Sequence, residues 1–142
     1  GLPGRWFTEL ASPPNGEIQE NVSLDRCLGA IGDSAVVEAL GLGAMQISSA
    51  PDQLKIFKSV LPVNYQARSD FLKMDNHYDF NKATPKIGIA IRSINNFESG
   101  PLVALGIIDR TGDLGRIGGG IYDPPLKLFK SAIDALDQSH EY

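Results

Sequence analysis

The longest hydrophobic run of the C-terminal half is Leu102 to Ile108, and polar and glycine-rich sequence follows it directly. Its length and its β-branched residues are typical of a buried strand. Five glycines then occur between Gly112 and Gly120. Glycine adopts positive φ angles and permits close backbone approach, so this spacing predicts a loop of unusual shape at the end of the strand. Ligands of α/β proteins bind at such strand ends, which makes the loop a candidate site.

Helical periodicity predicts a first helix in the N-terminal half. Asp33 and Ser34 precede the run Ala35 to Leu40, and either side chain is a candidate N-cap for an unpaired backbone N–H. Gly41 follows, and glycine destabilises a helix interior by about 1 kcal/mol relative to alanine, so we expect a break there. On sequence alone, capping is favoured over ligand binding for Asp33 and Ser34.

Further helices are predicted from apolar positions at helical spacing. They are a helix capped by Ser48 or Ser49 that includes Pro51 and runs to about Val60, a helix over Tyr65 to Met74 with Phe71 and Leu72 inward, and a last helix over Leu126 to Leu136. The segment that begins at Ile87 fits either a strand or a helix. Gly100 is well placed just after a helix end, which favours a helix ending at Ser99.

These elements predict an α/β fold: a helix-rich single domain, residues 1–142, with a small sheet that contains Leu102 to Ile108. A chain of 142 residues with 42% hydrophobic residues suits one domain. The chain starts at Gly1, without a methionine, and structured sequence begins almost at once. We therefore expect it to be a fragment of a longer chain, the C-terminal portion of a larger subunit.

Charge and composition exclude several classes of function. The net charge of −4 and the absence of a basic cluster argue against nucleic-acid binding. The single cysteine, Cys27, excludes an internal disulfide, and no signal peptide or long apolar span is present. We expect a cytoplasmic protein without membrane contact. His77 and His140 are far apart, so no metal site and no cofactor are predicted.

Two glycine-bearing segments are candidate sites for a small anion, because unpaired backbone N–H groups attract negative charge and guanidinium groups bind carboxylate or phosphate. Neither segment matches a Walker loop or a dinucleotide-binding motif, which disfavours nucleotides. A structural turn packed against another subunit explains the glycines equally well. The alternative for the arginines near this segment, Arg92, Arg110 and Arg116, is a surface ion pair with Asp109 or Asp113 as the candidate partner. The candidate anion-binding residues are Gly32, Asp33, Ser34, Arg116, Gly118, Gly119 and Gly120.

Four segments, taken in order, resemble a bacterial family. They are RWFTE at Arg5 to Glu9, GDSAVVEALGLGAM at Gly32 to Met45, SSAP at Ser48 to Pro51, and GRIGGGIYDPPLKLF at Gly115 to Phe129. The YlbE-like family, long described as a domain of unknown function and later assigned to the oxamate carbamoyltransferase complex, carries RWFTAP, GDSAITETAGLGG and GQIGAGL in the same order. The resemblance is weakest between Leu61 and Pro85.

The resemblance implies a subunit that works in an oligomeric complex beside an FdrA-like subunit, in allantoin breakdown. The implied reaction is phosphorolysis of oxalurate to oxamate and carbamoyl phosphate, which are small anions. Gly32 to Ser34 and Gly118 to Gly120 match the family pattern. Arg116 stands where the pattern more often has glutamine, and Asp109-Arg110 replaces a segment richer in histidine and lysine, so a changed substrate or a lost activity is an alternative.

Three hypotheses follow. The preferred one is a carbamoyltransferase subunit that contributes an anion-binding site, with its catalytic residues unidentified. The second is a non-catalytic domain for subunit assembly. The third, a free-standing domain that binds a nucleotide or another small molecule, ranks last because no complete phosphate motif is present.

Overall fold

The computed structural model describes residues 2–74, 86–90, 93–94 and 99–139. Its strands are β1 (Asn15–Ile18), β2 (Leu72–Met74), β3 (Ile87–Ile89), β4 (Val103–Ile108) and β5 (Arg116–Tyr122). Its α-helices are α1 (Ser34–Leu40), α2 (Pro51–Phe57) and α3 (Leu126–Ser139). Short 3₁₀ turns occupy Leu24–Arg26, Ala44–Ser49 and Ala67–Phe71.

The main sheet has three antiparallel strands in the order β1-β5-β4. Strands β4 and β5 form a hairpin with a bulge between Ile107 and Ile108, and Asp109 N–H donates to Gly115 C=O at 2.8 Å across its turn. Strands β2 and β3 form a separate antiparallel pair. The predicted fold class, a single α/β domain with helices around a small sheet, is confirmed, and β4 lies where the hydrophobic run predicted it.

Two clusters of apolar side chains form the core. The larger one joins the two sheets to α3, and its buried members are Ala44, Met45, Phe71, Leu72, Ile94, Leu102, Ile121 and Ile133. The smaller one lies near the hairpin turn and contains Cys27, Ile107 and Ile117. Ile133 belongs to the larger cluster because α3 carries its apolar residues on one face.

The predicted loop through Gly120 is wrong, because Arg116 to Tyr122 forms β5. The actual turn is confined to the residues between β4 and β5. Gly112 and Gly115 have φ angles of 81° and 65° there, which side chains other than glycine rarely adopt. Glycine is therefore needed for turn geometry at these two positions and for strand packing at those in β5.

Three helix predictions require correction. The segment Tyr65 to Met74 forms a 3₁₀ turn followed by β2 instead of a helix, although Phe71 and Leu72 are buried as predicted. The favoured helix that begins at Ile87 is wrong at its start, because Ile87–Ile89 is β3, while residues 95–98 lie outside the described residues. Helix α2 follows Ala50 instead of a serine cap and ends at Phe57, before Val60.

One further detail differs near the end of the described chain. Helix α3 continues through Gln138 to Ser139, beyond the predicted end at Leu136. None of the helices in the described part of the chain combines the length and the apolar character needed to cross a membrane.

Candidate functional site

Helix α1 lies along the free edge of β4. Glu38 Oε1 accepts hydrogen bonds from the N–H groups of Ala44 at 2.7 Å and Ala104 at 3.0 Å. Among the described strands β4 lies at the edge of its sheet, so no strand of that set pairs with the Ala104 N–H on this side. The Glu38 carboxylate satisfies it and thereby holds α1 against the sheet.

A groove of about 480 Å³ lies between the start of α1, α2 and one face of the sheet. Four of the seven candidate residues line it together: Gly32, Asp33, Ser34 and Arg116. They come from segments about eighty residues apart in the sequence, and folding places them around one space. Its other lining residues are Ile31, Gln53, Phe57, Ala104, Leu105, Gly106 and Ile108.

Arg116 rests on a glycine surface. Its Nε donates to the C=O of Gly118 at 2.9 Å. Gly106 and Gly119 face each other across β4 and β5. A Cβ on Gly106 would lie 3.1 Å from Arg116 Nε, and a Cβ on Gly119 would lie 3.2 Å from Arg116 Nη2. Because neither glycine has a side chain, the guanidinium lies close to the sheet. Gly119 thus contributes to the groove through this surface.

Gly118 and Gly120 do not form a pocket of exposed amides, which corrects that prediction. They belong to the central strand, which pairs with β1 on one side and with β4 on the other, so their backbone groups take part in pairing within the sheet. A Cβ on Gly120 would lie 2.6 Å from Asn15 C=O, and one on Gly118 would overlap Glu17 C=O. Both glycines allow the backbone of β1 to approach closely.

Asp33 occupies the N-cap position of α1, but its side chain makes no capping hydrogen bond. The predicted cap position is therefore right and the predicted cap interaction is absent. Ser34 is the first residue of the helix. The groove consequently combines a guanidinium with a carboxylate and a hydroxyl, which suits a ligand that carries both a negative group and hydrogen-bond donors.

Asp109 pairs with Arg26 and not with Arg110 or Arg116, which corrects the predicted partner. Arg26 Nε and Nη2 donate to its two oxygens at 2.9 and 2.6 Å, and Leu114 N–H donates at 3.0 Å. The Arg26 hydrogen bonds hold the pKa of this carboxyl well below its ordinary value of 3.8, with help from Leu114 and from Thr111. Among the described residues, Arg116 forms no ion pair, so its charge is available to a ligand.

Sequence reasoning missed Glu38, Gln53 and Phe57. Glu38 is 4% exposed and is the buried residue of α1, whereas Val36 and Val37 face solvent. A single charged residue within an apolar helical run was the available signal. Gln53 and Phe57 lie one turn apart on α2. Phe57 is one of the apolar positions at helical spacing that predict this helix, but nothing in the sequence marks either residue as part of a site.

Metal ligands are not grouped in the described residues, where no set of three His, Cys, Asp or Glu side chains lies close enough to hold an ion. The predictions about His77 and Arg92 lie outside the described residues.

Comparison with known proteins gives distant relatives. No protein-family profile matches the chain. Over 149 residues it is 28% identical to the oxamate carbamoyltransferase subunit AllG of Escherichia coli K12, a match that covers 98% of this chain and 35% of AllG. The chain is a distant homologue of AllG. Over 145 residues it is 27% identical to the uncharacterized protein YahG of the same strain, covering 94% of this chain and 30% of YahG.

The chain therefore spans about a third of the length of the curated relatives that it matches. Its fold is similar to that of a conserved protein of unknown function from Enterococcus faecalis V583, with a TM-score of 0.74 and 22% identity. That similarity covers 94% of this chain and 34% of the other. At this identity the similarity establishes the fold alone.

Proposed function

We propose that this chain contributes a substrate groove to a carbamoyltransferase of the AllG type, in the YlbE-like family. The observation that carries the proposal is the meeting of Asp33, Ser34 and Arg116 in one groove. The homology to an oxamate carbamoyltransferase subunit supports it. We further propose that the chain is the C-terminal portion of a larger cytoplasmic subunit that works with an FdrA-like partner in an oligomeric complex.

The groove chemistry fits the proposed substrates. Oxamate and oxalurate carry a carboxylate and amide N–H groups, and carbamoyl phosphate carries a phosphate and an NH₂ group. The Arg116 guanidinium binds the anionic group, and the Asp33 carboxylate accepts from the N–H groups. Asp33 also repels a second anion, so the groove selects molecules with one negative end and one donor end.

The proposed reaction is phosphorolysis of oxalurate. An oxygen of hydrogen phosphate attacks the terminal carbamoyl carbon, and the bond from that carbon to the inner nitrogen breaks. The proton that the phosphate loses passes to this nitrogen, which gives oxamate and carbamoyl phosphate. The carbonyl oxygen gains negative charge on the way, and a preorganised guanidinium or amide lowers the barrier by stabilising that charge. Arg116 is the candidate for this role in the described part of the chain.

Calorimetry with oxamate, carbamoyl phosphate and inorganic phosphate tests the groove. We expect Arg116→Met to weaken binding by about tenfold or more, since a charge-assisted hydrogen bond contributes about 1.5–3 kcal/mol. Gly119→Val should weaken binding without a change of charge, because its side chain would occupy the surface under the guanidinium. Arg5→Met is the control, since Arg5 stacks on Phe7 outside the groove. Equal affinities for the wild type and Arg116→Met would refute the proposal.

A second candidate function is subunit assembly without substrate contact. Helix α1 exposes Val36, Val37 and Leu40 to solvent, at 74%, 59% and 44%. Such an apolar face is typical of a surface that another protein segment covers. Light scattering of the wild type and of Val36→Ser/Val37→Ser tests this function: association that the double variant loses supports it, and a strict monomer without affinity for an FdrA-like partner excludes it.

A further inference from the structure

A second cavity adjoins the groove and shares Ile31, Gly32 and Leu105 with it. The cleft continues past Val103 of β4, whereas Ala104 and Gly106 line the groove only. The cleft has a volume of about 410 Å³, within the usual size range of small-molecule sites. Its walls are almost entirely apolar and include Ala35, Ala39, Ile89, Val103, Leu128 and Phe129.

Glu38 places one carboxylate in this apolar space. Its Oε1 accepts from two backbone N–H groups, whereas its buried Oε2 has no hydrogen-bond partner in the part of the chain that the structure describes. No cationic side chain in residues 2–74, 86–90, 93–94 and 99–139 forms an ion pair with it. Gly43 makes room for the carboxylate, because a Cβ at that position would overlap it. The site is therefore built around an acceptor that the protein leaves unsatisfied.

An unsatisfied buried acceptor destabilises the protein until a donor reaches it. Burial raises the pKa of Glu38, and the backbone amides of Ala104, Ala44, Met45 and Gly43 oppose that rise. The two that hydrogen-bond the carboxylate, those of Ala104 and Ala44, both donate to Oε1, so a proton taken up from solvent resides on Oε2. A ligand that donates an N–H group to Oε2 would replace that proton and satisfy the acceptor without exposing it to water.

We propose that this cleft is a second binding site, for a small molecule with a compact apolar body and one N–H donor group that hydrogen-bonds Glu38 Oε2. The apolar walls bury the body by the hydrophobic effect, and the carboxylate excludes anions. This inference does not depend on the proposed carbamoyltransferase groove. An ammonium and a neutral amide share the required chemistry.

The test compares three probes of similar shape on the purified protein: benzylamine, benzamide and toluene. Binding is followed by calorimetry or by NMR chemical-shift changes. We expect one or both N–H donors to bind about tenfold or more tightly than toluene. Stronger binding of benzylamine identifies an ammonium ligand, and stronger binding of benzamide identifies an amide. Equal affinity for the three probes, or no binding, overturns the proposal.

Glu38→Gln sharpens the test because its amide oxygen can keep the two backbone hydrogen bonds while its NH₂ group takes the place of Oε2. The variant should lose the preference for N–H donors and gain affinity for acetophenone, which presents an acceptor. Glu20→Gln, at an exposed position, is the charge-matched control. A Glu38→Gln variant with unchanged probe preference overturns the proposal.

Ala39→Leu supplies a second variant that leaves Glu38 intact and adds bulk to the cleft wall. It should abolish binding of all donor probes, and unchanged probe affinity would overturn the assignment of the cleft. Oxamate titration of the same variant separates the two sites, because Ala39 does not line the groove. Loss of probe binding with retained oxamate binding locates the two ligands in different sites.

Discussion

Two carboxyl groups of this protein are buried in opposite electrostatic environments. Glu38 lies among apolar residues, and burial raises its pKa above the ordinary value of 4.5. Asp109 is 2% exposed but receives hydrogen bonds from Arg26, Thr111 and Leu114, so its pKa is lowered. The same functional group, a carboxyl, therefore takes up a proton more readily at Glu38 and keeps its negative charge more strongly at Asp109.

The pH dependence of stability follows from the signs of these shifts. Asp109 has a folded-state pKa below its unfolded value, so its stabilising contribution is present above about 3.8 and is lost as the pH falls towards the folded value. The contribution of Glu38 depends on pH in the opposite direction: it is complete below about pH 4.5 and is lost as the pH rises through the raised pKa. We expect Asp109→Asn to be destabilised at neutral pH and to lose less stability than the wild type between about pH 4 and pH 2.

Urea unfolding across this pH range measures the effect. Asp134→Asn, at an exposed position of α3, is the control and should follow the wild-type curve. Parallel curves for Asp109→Asn and the wild type below pH 4 would show that the Arg26 pair does not govern acid stability.

At the scale of elements, the sequence predicts the helices and strands whose own residues show a recognisable pattern of apolar and polar positions. Strand β4 has the length and β-branched residues of a buried strand, α1 follows a recognisable N-cap position, and α3 has an apolar stripe. Strand β5 could not be predicted, because a run of glycines has no alternation of polar and apolar residues. Strands β2 and β3 have three residues each. In segments this short a strand pattern cannot be separated from a helical one, as the two interpretations of the segment at Ile87 show.

The candidate site, too, could be predicted from the sequence only in part. Gly32 to Ser34 and Arg116 were recognisable from residue type and spacing, and they do meet. The role of Gly119 depends on its partner Gly106 across the hairpin, which only the register of β4 and β5 reveals. The inward position of Glu38 depends on the free N–H of Ala104 at the sheet edge, a tertiary feature that no local pattern encodes.

Gly120→Ala tests the close approach of β1 to β5. The added Cβ would lie 2.6 Å from Asn15 C=O and 3.1 Å from Gly16 Cα, both backbone atoms that cannot move without separating the strands. We expect a loss of about 1–3 kcal/mol in the free energy of unfolding, the usual cost of overpacking. Amide hydrogen exchange should accelerate first in β1.

Gly106→Ala is the matched strand control, because its Cβ would meet the flexible side chain of Arg116 at 3.1 Å. It should change stability much less than Gly120→Ala does. Similar losses for the two variants would mean that the spacing of β1 and β5 is not set by the missing side chain.

At the scale of the whole molecule, Arg68 joins segments that are distant in sequence. Its guanidinium donates to both oxygens of Asp123 at 2.6 and 2.8 Å, to Gly100 C=O at 2.9 Å, and to Asn64 Oδ1. Its side chain is 3% exposed, whereas that of Asp123 is 46% exposed. These contacts connect the 3₁₀ turn before β2 to the chain that precedes β4 and follows β5.

Removal of this guanidinium should therefore weaken the packing of the two sheets against each other. We expect Arg68→Met to lower the free energy of unfolding by about 2–3 kcal/mol, because the buried Gly100 C=O loses its charged donor. Asp123→Asn should cost about 1 kcal/mol, since solvent screens the exposed half of that pair. Lys55→Met is the control: it removes an ion pair with Asp52 at 3.6 Å in which both side chains are exposed, and it should change stability by less than about 0.5 kcal/mol. Urea unfolding ranks the three variants, and an Arg68→Met protein as stable as Lys55→Met would mean that apolar packing alone joins the two sheets.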